Sequence, residues 1–213
     1  AWSATPPTGY TFSSSGSKTL YAWAKDAAGN VSAGKSITIS VENVAPVVTA
    51  FTMPAISNSL TVPVSTFIAS DNVAVTGYLL TETSSKPSYG STGWTSTPPT
   101  SYTFTSSGNR ILYAWAKDAA GNVSGSATAS TLVDTTPPTV TAFTTPVRSP
   151  SYEISISSLT ATDNIGVTGY MVTETYAAPT PDAAGWVSTP PATYTFQVQG
   201  SRTLYVWAKD AAG

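Results

Sequence analysis

The residues with most chemistry to offer are Asp134, Asp163, Asn164 and Asp210, each set beside turn-forming neighbours. If the loops that carry them meet at one pole of a sandwich of strands, their hard oxygens suit calcium. Asp and Asn also close turns by accepting backbone N–H groups a few residues on, and that local role is the expected one, so no metal ligand is assigned. Glu82 and Glu174 occupy equivalent places 92 residues apart and offer no pair of acids facing one cleft, as glycoside hydrolysis requires. Lys25, Lys117 and Lys209 each precede an aspartate, where surface pairing is expected.

The chain has no histidine and no cysteine, which removes the commonest general base, thiolate chemistry and the usual transition-metal ligands. No cofactor and no catalytic residue is assigned, and the chain reads as non-enzymatic. Nine Lys plus Arg against 11 Asp plus Glu leave a net charge of −2, without the basic face that phosphate binding needs. A nucleic-acid partner is therefore not expected. Hydrophobic residues make up 41% of the chain, enough for packed cores, yet no apolar run reaches the ~20 residues that span a bilayer.

The elements that must position these residues repeat every 92 positions. Trp2, Trp94 and Trp186 open three versions of one phrase, which ends AKDAAG at Gly29, Gly121 and Gly213. That period suits a small all-β domain better than a solenoid unit. Apolar residues alternate with period two between turn formers, which predicts strands. In the central copy the strands fall at 47–53, 60–69, 77–83, near Trp94, and at 101–105, 111–117 and 123–133. Asp118 to Asn122 supplies glycine and asparagine where a hairpin needs positive φ, and Pro63 marks a bulge or unpaired edge. The predicted fold class is all-β: tandem seven-stranded antiparallel sandwiches of immunoglobulin-like type.

Ser70-Asp71-Asn72-Val73-Ala74-Val75-Thr76-Gly77-Tyr78, its copy from Thr162 to Tyr170, and Ala116-Lys117-Asp118-Ala119-Ala120-Gly121-Asn122-Val123-Ser124 resemble bacterial fibronectin type III-like and immunoglobulin-like repeats. The junction Asp134-Thr135-Thr136-Pro137-Pro138-Thr139 is similar to linkers between such modules. The resemblance covers the whole chain. Fibronectin type III modules carry a core tyrosine early in the sixth strand, where parity here puts Leu112. Three segments follow: 1–45, the back of a module; 46–136, a complete module; and 137–213, a module that stops before its last strand. That last strand is expected either from residues beyond this window or from another chain.

Parity on the sixth strand turns Leu112, Ala114 and Ala116 inward, and Tyr113 and Trp115 outward beside Leu79. Met171, Tyr205 and Trp207 repeat this arrangement in the third copy. Residues Leu79, Tyr113, Trp115, Met171, Tyr205 and Trp207 are thus the candidate interface or ligand patch; the competing structural reading folds Trp94 over it as a satellite core. The function expected is a non-catalytic structural repeat forming a stalk or filament on or outside a bacterial cell, through self-association with other copies. The alternative is an adhesive or carbohydrate-binding accessory module of a larger secreted protein or enzyme, with a cell-surface glycan as partner. Asn30-Val31-Ser32 and Asn122-Val123-Ser124 match the glycosylation acceptor pattern, but hairpin geometry already accounts for both asparagines.

Overall fold

A computed structural model describes all 213 residues, and it is all-β with no helix. The chain divides into two compact units. One comprises Ala1–Phe51, Phe67–Pro99 and Tyr113–Ala127; the other Thr52–Thr66, Thr100–Leu112 and Thr128–Gly213.

In the first unit, β1 (Gly16–Ala22) and β2 (Lys35–Val41) form an antiparallel hairpin in register from Gly16 with Val41 to Ala22 with Lys35. Strand β3 is Val47–Thr52. Pro54 cannot donate to a ladder, and soon after it the chain enters a two-residue strand, β4 (Ile56–Ser57). Strand β4 runs parallel to a later strand, and sequence parity did not reveal it. Strands β5 (Thr61–Pro63) and β6 (Thr66–Ser70) replace the single second strand expected at 60–69. Between them Val64 N–H reaches Thr100 O while Ser65 N–H reaches Thr52 O, so the chain changes ladders within two residues. Pro63 lies at that change, but Ile156 and Ser157 make the matching switch, to Ala192 O and Thr144 O, without a proline. The fold, not the proline, requires the break.

Strand β7 (Gly77–Thr81) pairs antiparallel with β9 (Gly108–Lys117), from Gly77 opposite Lys117 to Thr81 opposite Tyr113. Strand β8 (Ser101–Thr103) pairs with β5, β3 with β6, and β10 (Ala127–Val133) completes a four-stranded order β4-β10-β9-β7. The strand expected near Trp94 is only a bridge, from Thr95 to Tyr78. The last strand begins later than expected, at Ala127, with Val123 making an isolated bridge to Lys117.

The second unit contains β4, β5, β8 and most of β10 as well as the later strands, in which β11 (Thr139–Thr144) pairs with β13 (Ser158–Thr162), β12 (Glu153–Ser155) with β15 (Thr193–Thr195), and β14 (Gly169–Thr173) with β16 (Tyr205–Lys209), all antiparallel. These pairings are consistent with an immunoglobulin-like sandwich. Leu112, Ala114 and Ala116 are fully buried, as their parity predicts. Phe51, Phe67 and Tyr78 meet edge to face, with Phe67 5.5 Å from Phe51 and 5.2 Å from Tyr78 between centroids. Val62, Phe104 and Val133 supply buried apolar side chains to the second unit.

Candidate functional sites

In the first unit β7 and β9 bring Leu79 opposite Trp115 on one face, as expected, yet that face is not exposed. Leu79 is 7% and Trp115 3% accessible, and Val123 is buried with them, while Trp94 and Tyr113 pack against the group. The exposed-patch expectation is therefore corrected in favour of the satellite core. Two backbone bonds between Thr95 and Tyr78, of 2.8 and 2.9 Å, hold the Trp94 segment beside β7. The Trp94 indole donates to Ser88 O at 3.1 Å, and Trp115 donates to Thr81 Oγ1 at 2.9 Å, so both rings have their one polar group satisfied.

Lys117 does not act mainly as a partner for the neighbouring aspartate. Its ammonium lies 4.2 Å from the Tyr89 ring centroid and 4.9 Å from that of Trp94, and donates to Tyr89 O at 3.0 Å. Its stem passes so close to Gly77 that a Cβ there would stand 2.7 Å from Lys117 Cε. Cation and aliphatic stem together seal the edge of the aromatic layer.

The second unit repeats this construction. Met171 is opposite Trp207 and buried, while Tyr205 and Trp207 are half-buried. Trp207 donates to Thr173 Oγ1 at 3.0 Å, Trp186 to Thr180 O at 2.9 Å, and Lys209 lies 5.3 Å from the Trp186 centroid. Tyr176 lies edge-on to Tyr205, 5.4 Å away. In the β1–β2 hairpin the corresponding Tyr21 and Trp23 are exposed and stacked at 5.8 Å.

The aspartates that follow these lysines close the hairpins. Asp118 Oδ1 accepts the N–H groups of Gly121 and Asn122, both at 2.9 Å, and Oδ2 accepts Asn122 Nδ2 at 2.6 Å. Gly121 takes φ of +105°, whereas Asn122 keeps negative φ, which corrects the expectation that both would be left-handed. The asparagine is needed for its side-chain amide, and Asn30 clamps Asp26 in the same way. Ser124 of the acceptor-like triplet is also engaged: its Oγ accepts Ala116 N–H at 2.9 Å, and its own N–H bonds Ala116 O. Burial alone raises the Asp118 pKa, but the donors of Asn122 and Gly121 outweigh it and hold the carboxyl below its ordinary range.

Asp134, Asp163 and Asp210 do come together, in the second unit, with carboxylate oxygens no more than 4.8 Å apart. Turn chemistry uses one oxygen of each. Asp134 Oδ1 accepts Thr136 N–H and Asn164 Nδ2, both at 3.1 Å. Asp163 Oδ2 accepts Ile165 and Gly166 N–H at 2.8 Å, and these bonds lower its pKa. Asp210 Oδ1 accepts Ala212 and Gly213 N–H at 2.7 and 2.8 Å. The remaining Asp134 Oδ2 and Asp163 Oδ1 are buried and have no hydrogen-bond partner. Like charges at this separation repel by about 1 kcal/mol in water and several times more where burial lowers the effective dielectric. The counterpart of Asn122 would be residue 214, past the last residue of this sequence. Sequence reasoning found the cluster; it missed that turn bonds occupy only one side of each carboxylate.

No family model matches the chain. It is 36% identical over 142 residues to exoglucanase A of Cellulomonas fimi, a match covering 61% of this chain and 16% of that protein. Among solved structures, the FN1–FN3 domains of chicken CNTN1 align with 92% of this chain and 71% of theirs, at 17% identity and a TM-score of 0.45. The chain thus spans about a sixth of the curated relative's length.

Proposed function

We propose that the chain is a non-catalytic accessory segment of a larger secreted bacterial protein, in which the repeats act as folded spacers outside the cell. The observation that carries this reading is the 36% identity to exoglucanase A over a stretch that makes up only 16% of that protein. An accessory segment needs modules that fold and close their own surfaces, and the covering of Trp115 by Trp94 suits it better than adhesion through that face. On this reading 1–45, 46–136 and 137–213 are parts of successive tandem modules. A filament built through the Trp115 and Trp207 faces loses its main support, because these rings are already packed intramolecularly.

The test has two arms. An antibody raised against the chain should detect, in culture medium of the producing bacterium, a polypeptide much larger than 21.9 kDa that carries a separate catalytic domain. The isolated chain should hydrolyse no β-glucan, should not be retained by insoluble cellulose, and should sediment as a monomer. Detection in sheared surface filaments, or concentration-dependent polymers of the isolated chain, would restore the stalk or filament reading.

A further inference from the structure

We propose that Asp134, Asp163 and Asp210 form a calcium site, with Asp134 Oδ2 and Asp163 Oδ1 as direct ligands. The cluster is not the argument by itself. Asp134 is only 2% accessible, its Oδ1 already accepts two donors, and its Oδ2 has none. A buried anionic oxygen without a donor needs a counter-charge, yet two further carboxylates converge on the same place. Turn bonds to the opposite oxygens hold all three carboxylates in place, so the free oxygens are preorganised.

The geometry and donor type select the ion. Calcium binds oxygen at about 2.3–2.6 Å, so two ligands of one ion stand up to roughly 5 Å apart, which the 4.8 Å limit satisfies. Magnesium demands a near-ideal octahedron and gives up its waters reluctantly, whereas calcium accepts the irregular set that carboxylates fixed by turn bonds present. An all-oxygen set without nitrogen or sulfur disfavours zinc and copper. Water completes the shell, as calcium's flexible coordination permits.

The preceding copy shows what a filled version looks like. Glu42, Asp71 and Asp118 hold the matching sequence positions, but Glu42 Oε1 accepts Val44 N–H, Glu42 Oε2 accepts Asn72 Nδ2, and Asp118 Oδ2 accepts Asn122 Nδ2. The Asn72 amide there occupies the second oxygen of Glu42, whereas the second oxygen of Asp134 has no donor, although Asp71 Oδ1 is also unpartnered. One calcium ion per chain is therefore expected, at the Asp134 cluster.

Calorimetric titration of the full 213-residue chain, stripped with chelator, with calcium chloride is the test. One equivalent should bind, the unfolding temperature should rise with calcium, and magnesium chloride should bind more weakly. Asp134→Asn should weaken calcium binding by about tenfold or more, because it removes ligand charge. Asp163→Asn is the second variant, since its remaining oxygen can still accept the Ile165 and Gly166 N–H groups and keep the turn folded. Asp71→Asn should leave the affinity unchanged. Absence of saturable binding at millimolar calcium, equal magnesium affinity, or calcium binding unaltered in both Asp134→Asn and Asp163→Asn would overturn the proposal.

Discussion

Trp115 donates its indole N–H to Thr81 Oγ1 at 2.9 Å across the β7–β9 ladder, and this bond ties the ring to the neighbouring strand of its own sheet. Ninety-two residues later Trp207 and Thr173 make the same bond at 3.0 Å. A threonine in an otherwise apolar strand thus serves the one polar atom that would oppose burial of the largest side chain nearby.

Trp115→Ser should consequently unfold part of the protein rather than abolish an assembly contact. Removing a buried indole costs about 3–5 kcal/mol, comparable to much of a domain's stability. Urea titration followed by tryptophan fluorescence would measure it; a loss below about 1 kcal/mol would mean that the ring is not core.

Thr81→Val keeps the shape of the side chain and removes the acceptor. The indole N–H, left without a partner at a nearly dry site, should cost about 1–3 kcal/mol. Pairing it with Trp115→Phe in a double-mutant cycle should recover part of that loss, since phenylalanine has no donor to leave stranded.

Gly121→Ala tests the hairpin. At φ of +105° an added Cβ is strained whatever space surrounds it, so a loss of about 1–2 kcal/mol is expected. Ala120→Gly should cost less, since nothing at that position requires positive φ. Equal losses in the two variants, measured by thermal unfolding, would contradict the assignment.

Acid should weaken the Asp118 clamp. Because the folded-state pKa lies below its ordinary 3.8, the stabilisation is fully present above that value and is lost as pH falls through the depressed folded value. Urea midpoints between pH 6 and pH 2.5 should therefore fall more steeply for the native chain than for Asn122→Ala, which lacks the side-chain donor that helps hold the carboxylate ionised.

Much of the architecture was legible in the residues themselves. The alternation Leu112, Tyr113, Ala114, Trp115 assigned each side chain to its face, because a strand's period of two admits only two registers and one of them would expose the core. The Asp-Ala-Ala-Gly-Asn hairpin was readable for the same local reason: glycine alone takes +105° without strain, and Asp and Asn bond within four residues. What the sequence alone could not decide was accessibility and pairing over distance. Facing outward says nothing about what lies on top, and Trp94 covers Trp115 only because Thr95 bridges to Tyr78, 17 residues earlier. The change of ladder at Val64 and Ser65, the two-residue strand at Ile56, and the meeting of Asp134 with Asp163 and Asp210 likewise depend on chain segments brought together from afar. Local propensity acts through neighbours a few residues away, whereas burial and carboxylate clustering are properties of tertiary packing.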